Sequence, residues 1–309
     1  MNRQWLTPGN DEEWLEYRKP DITSTDTAAL FGLSPYKTKF ELYHKHVNGI
    51  EVPFDVNERM KKGNALEFAV AKLAAEQEGW TELKPLKDYC RIPSERIGSS
   101  FDCEAIDSDG KPLLVEIKLV DFFRYKDTWI DDQAPEHIEV QVQHELELAD
   151  RFERAAIVAW TGAYDCNVLY RDRDRDMGKA IRSAVGKFWK LCASGKDPQP
   201  DYTRDEKVIA MMYRGEGEVL DATDDSEIES LLVRYDVANS QKKEFTKQVD
   251  AIKAEIHHKL GDHSSAYTQR YKVTAGRTKD GKDRVAEPGE VIKGRKGYRQ
   301  CLVKQISGS

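Results

Sequence analysis

Between residues 113 and 120 polar and apolar side chains alternate, with Val115, Ile117 and Leu119 in one set and Glu116 and Lys118 in the other. This period of two predicts a strand that carries Glu116 and Lys118 on one face. Residues 155–160 form an apolar run that reads as a further strand extending the sheet. Ser108-Asp109-Gly110-Lys111 lies just before the first of these strands and reads as the turn of a hairpin. Elsewhere the spacing becomes helical. Leu66, Val70 and Leu73 mark the buried stripe of a helix whose first turn contains Glu67, at the stripe's edge. Residues 21–32 predict a capped helix that stops at Gly32, with Pro35 beyond. Residues 136–148 predict another helix, on which Gln141, His144 and Glu145 stack.

Organisation changes near residue 195. The glycine and prolines of Ser194-Gly195-Lys196-Asp197-Pro198-Gln199-Pro200 follow a helix ending around Trp189 to Cys192 and read as a linker. The expected domains are therefore 1–195, a linker region 196–225, and a C-terminal segment 226–309. Within the last, residues 227–260 are charged and helical in pattern. Ile228, Leu231, Leu232, Tyr235, Val249, Ile252 and Ile256 form a stripe that predicts one exposed helix or a helical hairpin. Residues 266–274 and 298–306 read as two strands separated by a Gly-, Lys- and Arg-rich stretch, 276–297, that either contacts DNA or a partner or is a solvated hairpin loop. The fold class is α/β (α+β): a mixed central sheet flanked by helices, with a C-terminal helical and β-hairpin extension.

Composition narrows the function. The chain has 309 residues, a net charge of −7 and a pI near 5.7, which does not describe a protein that coats DNA, so any basic surface must be local. Lys37, Lys39, Lys61, Lys62, Arg124 and Lys126 are candidates for it or ordinary solvated cations. Cys90, Cys103, Cys166, Cys192 and Cys301 include no C-x-x-C pair, so neither a zinc site nor a disulfide framework is indicated, and reduced thiols fit a cytoplasm. The start Met1-Asn2-Arg3-Gln4-Trp5 lacks a signal-peptide core, no apolar run is long enough to span a bilayer, and no G-x-x-x-x-G-K-[ST] loop offers ATP-driven translocation.

The chemistry centres on Asp102, Glu116 and Lys118. Two neighbouring carboxylates stay ionised only where a cation or hydrogen bonds compensate them, and this pair points to Mg²⁺. A lysine beside such a pair can hold an attacking water or offset charge on a scissile phosphate. Register tests the idea: a two-residue Asp109-Gly110 loop would set Asp102 opposite Ile117 and leave the two acids on opposite faces. Shared metal binding therefore requires an odd loop or a bulge, with Gly110 at positive φ. The same pattern also describes an amphipathic hairpin with a solvated Glu/Lys pair. Glu67 either leans towards a metal or complements its helix dipole. Ser24 and Thr25, with the helix N–H groups and Arg18 just before, make a phosphate seat, or else Thr23 or Ser24 is a simple N-cap. Gln141 either reaches the strand or is a surface amide, and His144 reads as a packed residue. Phe122, Phe123, Arg124, Tyr125 and Trp129 suit either stacking on a fraying DNA end or core packing.

Taken in order, Ile22-Thr23-Ser24-Thr25-Asp26 with Gly32-Leu33-Ser34-Pro35-Tyr36, residues 63–67, Ser100-Phe101-Asp102, Glu116-Ile117-Lys118 and Gln141-Val142-Gln143 resemble the lambda-exonuclease-like, YqaJ-type family of viral recombination nucleases, a branch of the PD-(D/E)xK superfamily. The resemblance spans roughly residues 14–160. It implies that Asp102, Glu116 and the Ile117 carbonyl hold two Mg²⁺ ions, which Mn²⁺ can replace, with Glu67 beside them. It also implies that Lys118 and Gln141 organise the attacking water, and that Arg18, Ser24, Thr25 and Ser100 bind a 5′ phosphate. Phe101 stands where the family usually has proline, and Thr25 where serine is usual. The implied activity is digestion of one strand of duplex DNA from its 5′ end in a bacterial or phage-infected cytoplasm, leaving a 3′ tail for a single-strand annealing protein. The implied assembly is a homotrimeric ring around DNA. The other function classes are a PD-(D/E)xK endonuclease cutting internally and a non-catalytic relative that binds DNA ends.

Overall fold

The computed structural model describes residues 2–53, 58–162, 166–213, 217–280, 284–287, 290–292 and 302–305. The chain divides into two compact units, Met1–Glu216 and Gly217–Ser309.

The first unit holds two sheets. Strands β1 (Gln4–Leu6), β2 (Ile22–Thr23), β3 (Thr81–Pro85), β4 (Tyr89–Ile92) and β5 (Ile97–Ser99) are followed by β6 (Cys103–Ile106), β7 (Pro112–Leu119), β8 (Arg154–Trp160) and β9 (Asn167–Asp172). The smaller sheet has the order β1-β4-β5-β2, and the larger β3-β6-β7-β8-β9. Both are mixed. Strand β2 runs parallel to β5 and β7 runs parallel to β8, whereas the other pairs are antiparallel. The helices are α1 (Asp11–Arg18), α2 (Ser24–Leu30), α3 (Lys39–Asn48), α4 (Glu58–Glu78), α5 (Phe122–Thr128), α6 (Glu136–Leu148), α7 (Arg175–Ser194) and α8 (Glu206–Met212).

The larger sheet is covered on both faces, which explains the unbroken apolar run of β8. Ala156 and Val158 join Leu113, Val115, Ile117 and the α4 residues Val70, Ala71, Ala74 and Ala75 in one core cluster. Ala155, Ile157 and Ala159 join Leu114 and the α6 residues Ile138, Val142 and Leu146 in the other. On β7, Glu116 therefore continues the row of Leu114, under α6. With only 3% of its surface exposed, it is not one half of a solvated pair.

Several expectations change. Leu66 and Leu73 are exposed, and the buried positions of α4 are Val70, Ala71, Ala74 and Ala75. Glu67 lies one turn before Val70 and Ala71 on that same face, in the middle of the helix rather than in its first turn. The helix expected at 21–32 begins only at Ser24, because Ile22 and Thr23 pair with Ile97 and Gly98 as a strand. Thr23 is its N-cap residue but makes no side-chain capping bond. Helix α7 runs to Ser194 and ends on Gly195 in the left-handed conformation, as its turn chemistry requires. Beyond it, the Thr38 hydroxyl bonds to the buried Asp205 and Arg204 donates to the Ser34 carbonyl, so this part of the expected linker packs on the first unit.

The second unit consists of α9 (Ser226–Leu260), a single 35-residue helix, followed by short strands. β10 (Ser265–Tyr267), β11 (Tyr271–Thr274) and β14 (Leu302–Gln305) form one antiparallel sheet, and β12 (Arg284–Glu287) pairs with β13 (Glu290–Ile292). The strand expected over 266–274 is thus two strands with a turn at 268–270, closed by the Thr268 amide donating to the Tyr271 carbonyl. The basic stretch contains β12 and β13. Residues 293–301, Cys301 among them, and 306–309 lie outside the described residues. Cys90, Cys103 and Cys192 are free thiols, and Cys166 is buried with its Sγ 4.0 Å from the Val70 carbonyl oxygen. No helix among the described residues is long and apolar enough to cross a membrane.

Candidate active site

The hairpin β6–β7 brings the first two acids together. Cys103 pairs with Val115 and Ile106 with Pro112, and the Asp107 amide donates to the Lys111 carbonyl. Residues 108–110 remain as a three-residue loop, with Gly110 at φ 78°. Continued one step, this register sets Asp102 across from Glu116, which is the odd loop that a shared site requires. Asp102 lies just outside β6, and its Oδ2 accepts from the Ile117 amide at 2.8 Å, so the carboxylate is fastened to β7 itself.

Around Glu116 the polar groups form a connected network. Lys118 Nζ is 2.5 Å from Glu116 Oε1, and Gln141 Nε2 donates to the same oxygen at 2.6 Å. Gln141 Nε2 also lies 2.9 Å from Glu145 Oε1, while Gln141 Oε1 accepts from Lys118 at 3.2 Å. Gln141 is buried and spans strand and helix, so it is not a surface amide. Glu145, one turn further along α6, is 1% exposed, and its Oε2 is buried without a hydrogen-bond partner. The sequence places Glu145 beside Gln141 by its i+4 spacing; its membership of an acidic cluster is apparent only once α6 lies over β7.

The electrostatics are those of crowded acids. Burial, then the charges of Glu116 and Glu67, raise the Asp102 pKa well above the ordinary carboxylate range. Burial and Glu116 do the same for Glu145. Glu67 is also raised, by burial and then Glu116. Burial opposes the Lys118 ammonium, but Glu116 and Asp102 outweigh it, so Lys118 is held in its charged form. Among the described residues no three His, Cys, Asp or Glu side chains converge closely enough to form a metal cluster. The donor set nonetheless fits a hard divalent cation: the acids are oxygen ligands, and the charge of Glu116 raises both Asp102 and Glu67 beside it.

A second group flanks the strand end. Parallel pairing of β2 with β5 brings the start of α2 beside Ser99, close in sequence to Ser100 and Asp102. Trp14 Nε1 donates to Ser100 Oγ at 2.8 Å, and the Arg18 guanidinium lies 4.1 Å from the centre of the Trp14 ring. Burial lowers the Arg18 pKa, Asp26 opposing it. Thr25 is exposed, with its hydroxyl 3.0 Å from that of Thr23, whereas Ser24 is buried. Trp14, which the sequence motifs pass over, joins Arg18 to Ser100.

His144 is a packed residue. It bonds to the Thr27 hydroxyl at 2.7 Å and to the Gly98 carbonyl at 3.1 Å, tying α6 to α2 and β5. Of the candidate cations, Lys37 is paired with Asp26 at 2.8 Å, while Lys39, Arg124 and Lys126 are exposed. The side chains of Lys61 and Lys62 lie outside the described ones. Of the aromatic run after β7, Trp129 and Tyr125 pack on the core, but Phe122 and Phe123 are 46% and 59% exposed and form an edge-on pair.

Residues 13–151 match the family described as the YqaJ-like viral recombinase domain. The chain is 25% identical over 307 residues to "Uncharacterized protein YqaJ" of Bacillus subtilis (strain 168), spanning 96% of this chain and 95% of that protein. Among solved structures, an alkaline exonuclease from Laribacter hongkongensis is 18% identical, with a TM-score of 0.48, covering 59% of this chain and 93% of that one. A phage related exonuclease from Haemophilus somnus 129PT is 20% identical, with a TM-score of 0.42, covering 56% of this chain and 95% of that one.

Proposed function

We propose that this chain, whose residues 13–151 carry a YqaJ-like viral recombinase domain, is a Mg²⁺-dependent 5′-to-3′ exonuclease of double-stranded DNA that leaves 3′ single-stranded tails for strand annealing. The observation that carries the reading is the buried network of Glu116, Lys118 and Gln141 beside Asp102. A half-buried acid opposite a buried acid, with an ammonium held between strand and helix, has no role in packing and costs stability unless something compensates it.

In this reading Asp102, Glu116, the Ile117 carbonyl and Glu67 hold the cations, for which Mn²⁺ can substitute. When bound, divalent cations lower the pKa of water and supply positive charge for the departing 3′ oxygen. Without metal, Glu116 and Asp102 hold Lys118 in its charged form, placed to donate to water or to a phosphate oxygen. Gln141 accepts from Lys118 and donates to Glu116, which fixes the direction of the ammonium. Glu145 takes the same Gln141 amide and restrains its rotation.

Arg18, Thr25 and Ser100 serve as the seat of the 5′ phosphate in this reading. Arg18 makes no ion pair or hydrogen bond to a carboxylate among the described residues, and its charge is penalised by burial. An incoming phosphate would relieve that penalty. Ser24, being buried, contributes through its place at the start of α2 rather than through an exposed hydroxyl. The exposed Phe122 and Phe123 follow directly on β7 and offer stacking faces to terminal bases. A nuclease domain within the first unit, a C-terminal segment at 226–309, a homotrimer around DNA, a cytoplasmic site of action and delivery of the tail to an annealing protein complete the proposal.

The deciding experiment is digestion of linear duplex with 5′ or 3′ labels in Mg²⁺ beside a closed circular plasmid. Early release of 5′ label, with the circle intact, is the expected result. Nicking of the circle would replace this reading with an endonuclease, and inertness on both substrates would leave only end binding.

A further inference from the structure

We propose that α9 is one strand of an antiparallel coiled coil and that its partner is α9 of a second copy of this chain. The helix is 35 residues long and none of its residues is buried. At 1.5 Å per residue it extends about 52 Å. Leu231, Tyr235, Phe245, Val249 and Ile252 are each about half exposed or more, at 51%, 65%, 63%, 48% and 56%. A helix gains most of its stability by packing an apolar stripe; here Ile228 and Ile256 at the two ends are half-buried, and the stretch from Leu231 to Ile252 between them is left open among the described residues.

The stripe has the period of a coiled coil. Ile228, Leu231, Tyr235, Ala238, Lys242, Phe245, Val249, Ile252, Ile256 and Lys259 follow one another at alternating steps of three and four residues along the whole helix. This is the a/d spacing of a heptad repeat sustained over more than four heptads, and it defines a seam for a second helix of the same period.

Charge and size choose the partner's direction. In a parallel, in-register pair Lys242 would face its own copy in the seam, and the flanking positions would supply no pair of opposite charges. Turned antiparallel, with Ile228 opposite Lys259 of the second copy, the seam becomes self-complementary. Leu231 then meets Ile256, Tyr235 meets Ile252, Ala238 meets Val249 and Lys242 meets Phe245. That arrangement lays an ammonium stem along an aromatic ring and separates the two Lys242 charges. In the flanking rows Arg234 falls beside Glu255 of the other copy, and the two-fold symmetry makes that pair twice. The same sequence thus satisfies both strands in one orientation only.

The test uses the full-length protein. The pairing joins two assemblies of the first unit through α9, so sedimentation velocity should show Phe245→Asp/Ile252→Asp at half the wild-type mass. Activity on linear DNA, set by residues of the other unit, should be unchanged, and this separates the outcome from any failure of the nuclease reading. Because two aspartates could unfold the helix, a charge test accompanies it. Arg234→Glu or Glu255→Arg alone should weaken association by about threefold to tenfold, and the double exchange should restore it. An unchanged mass for the aspartate variant, or no restoration by the exchange, would overturn the proposal. Orientation is read by oxidation: an equal mixture of Ile228→Cys and Lys259→Cys should give a cross-linked dimer that neither variant gives alone. A dimer from Ile228→Cys by itself would also overturn it.

Discussion

The backbone amide of Ile117 donates to Asp102 Oδ2 at 2.8 Å, so the strand that carries Glu116 also fixes the acid opposite it. The bond restrains Asp102 but does not discharge it, and burial with Glu116 and Glu67 nearby still raises its pKa well above the ordinary range. A raised carboxylate pKa means that the folded state binds the proton more tightly than the unfolded chain. Without metal, the ionised acid therefore opposes folding above its unfolded pKa and ceases to do so as it protonates.

Asp102→Asn follows from that sign. The amide oxygen can still accept from Ile117 while the charge is gone. In EDTA near pH 7 the variant should be more stable than wild type by about 1 kcal/mol, a rise in Tm of roughly 2–4 °C. Mg²⁺ should raise the wild-type Tm and leave the variant's unchanged, and DNA cleavage should fall by on the order of a thousandfold. Calorimetry with and without Mg²⁺ checks the first pair of outcomes. A variant less stable in EDTA, or one that still responds to Mg²⁺, would refute the crowded-acid account.

Gln141→Leu should keep the helix packed but remove both the acceptor for Lys118 and the donor to Glu116. The expected result is a fall in kcat of about tenfold to a hundredfold with KM for DNA nearly unchanged, because the lost contact orients a charge and binds no substrate. Gln141→Glu should be worse, since it adds a further carboxylate beside Glu116 and Glu145. Equal loss in KM and kcat would make Gln141 a packing residue.

His46 supplies a pH dependence remote from the acids. Its ring packs edge-on against Trp189 and Phe188, and burial pushes its pKa from 6.5 down to about 4. A base with a lowered folded pKa contributes fully above its unfolded value and loses that contribution as pH falls from 6.5 towards about 4. The part of acid destabilisation due to His46 should be about 1–2 kcal/mol over that window, allowing for its incomplete burial. Denaturant melts of His46→Phe at pH 7 and pH 4.5 should show a smaller loss of stability on acidification than wild type.

How much of this was legible depended on whether a signal was local. The alternation of Val115, Ile117 and Leu119 fixed the strand, and the register argument called for an odd loop or a bulge with Gly110 at positive φ, of which the structure has the three-residue loop. Glu67 was harder to place. Leu66 and Leu73 suggested the wrong face of α4 because the true contact row uses alanines, whose small side chains let the helix lie close to the sheet. The pairing of Ile22 and Thr23 with Ile97 and Gly98 joins segments far apart in sequence, and no local propensity announces it. Glu145 and Trp14 gain their roles in the same way, from partners that only the fold supplies.

The contact between Trp14 and Ser100 bears on the choice of DNA end. Arg18 lies over the Trp14 ring, and Trp14 in turn bonds to Ser100 two residues before Asp102, so the guanidinium is held near the strand end by a stacked contact rather than by a carboxylate. A lysine cannot reproduce that planar stacking or offer a bidentate face to a phosphate. If this is the seat of the 5′ phosphate, wild-type protein should start on phosphorylated ends faster than on hydroxyl ends, and Arg18→Ala and Arg18→Lys should both lose most of that preference. A bidentate charge-assisted contact contributes about 1.5–3 kcal/mol, which sets the expected preference at roughly tenfold to a hundredfold. Trp14→Phe keeps a ring beneath Arg18 but drops the bond to Ser100, so it should retain part of the preference. Single-turnover digestion of matched duplexes gives the comparison. Equal initiation on the two ends by wild-type protein would remove Arg18, Thr25 and Ser100 from the site while leaving the acids of β6 and β7 untouched.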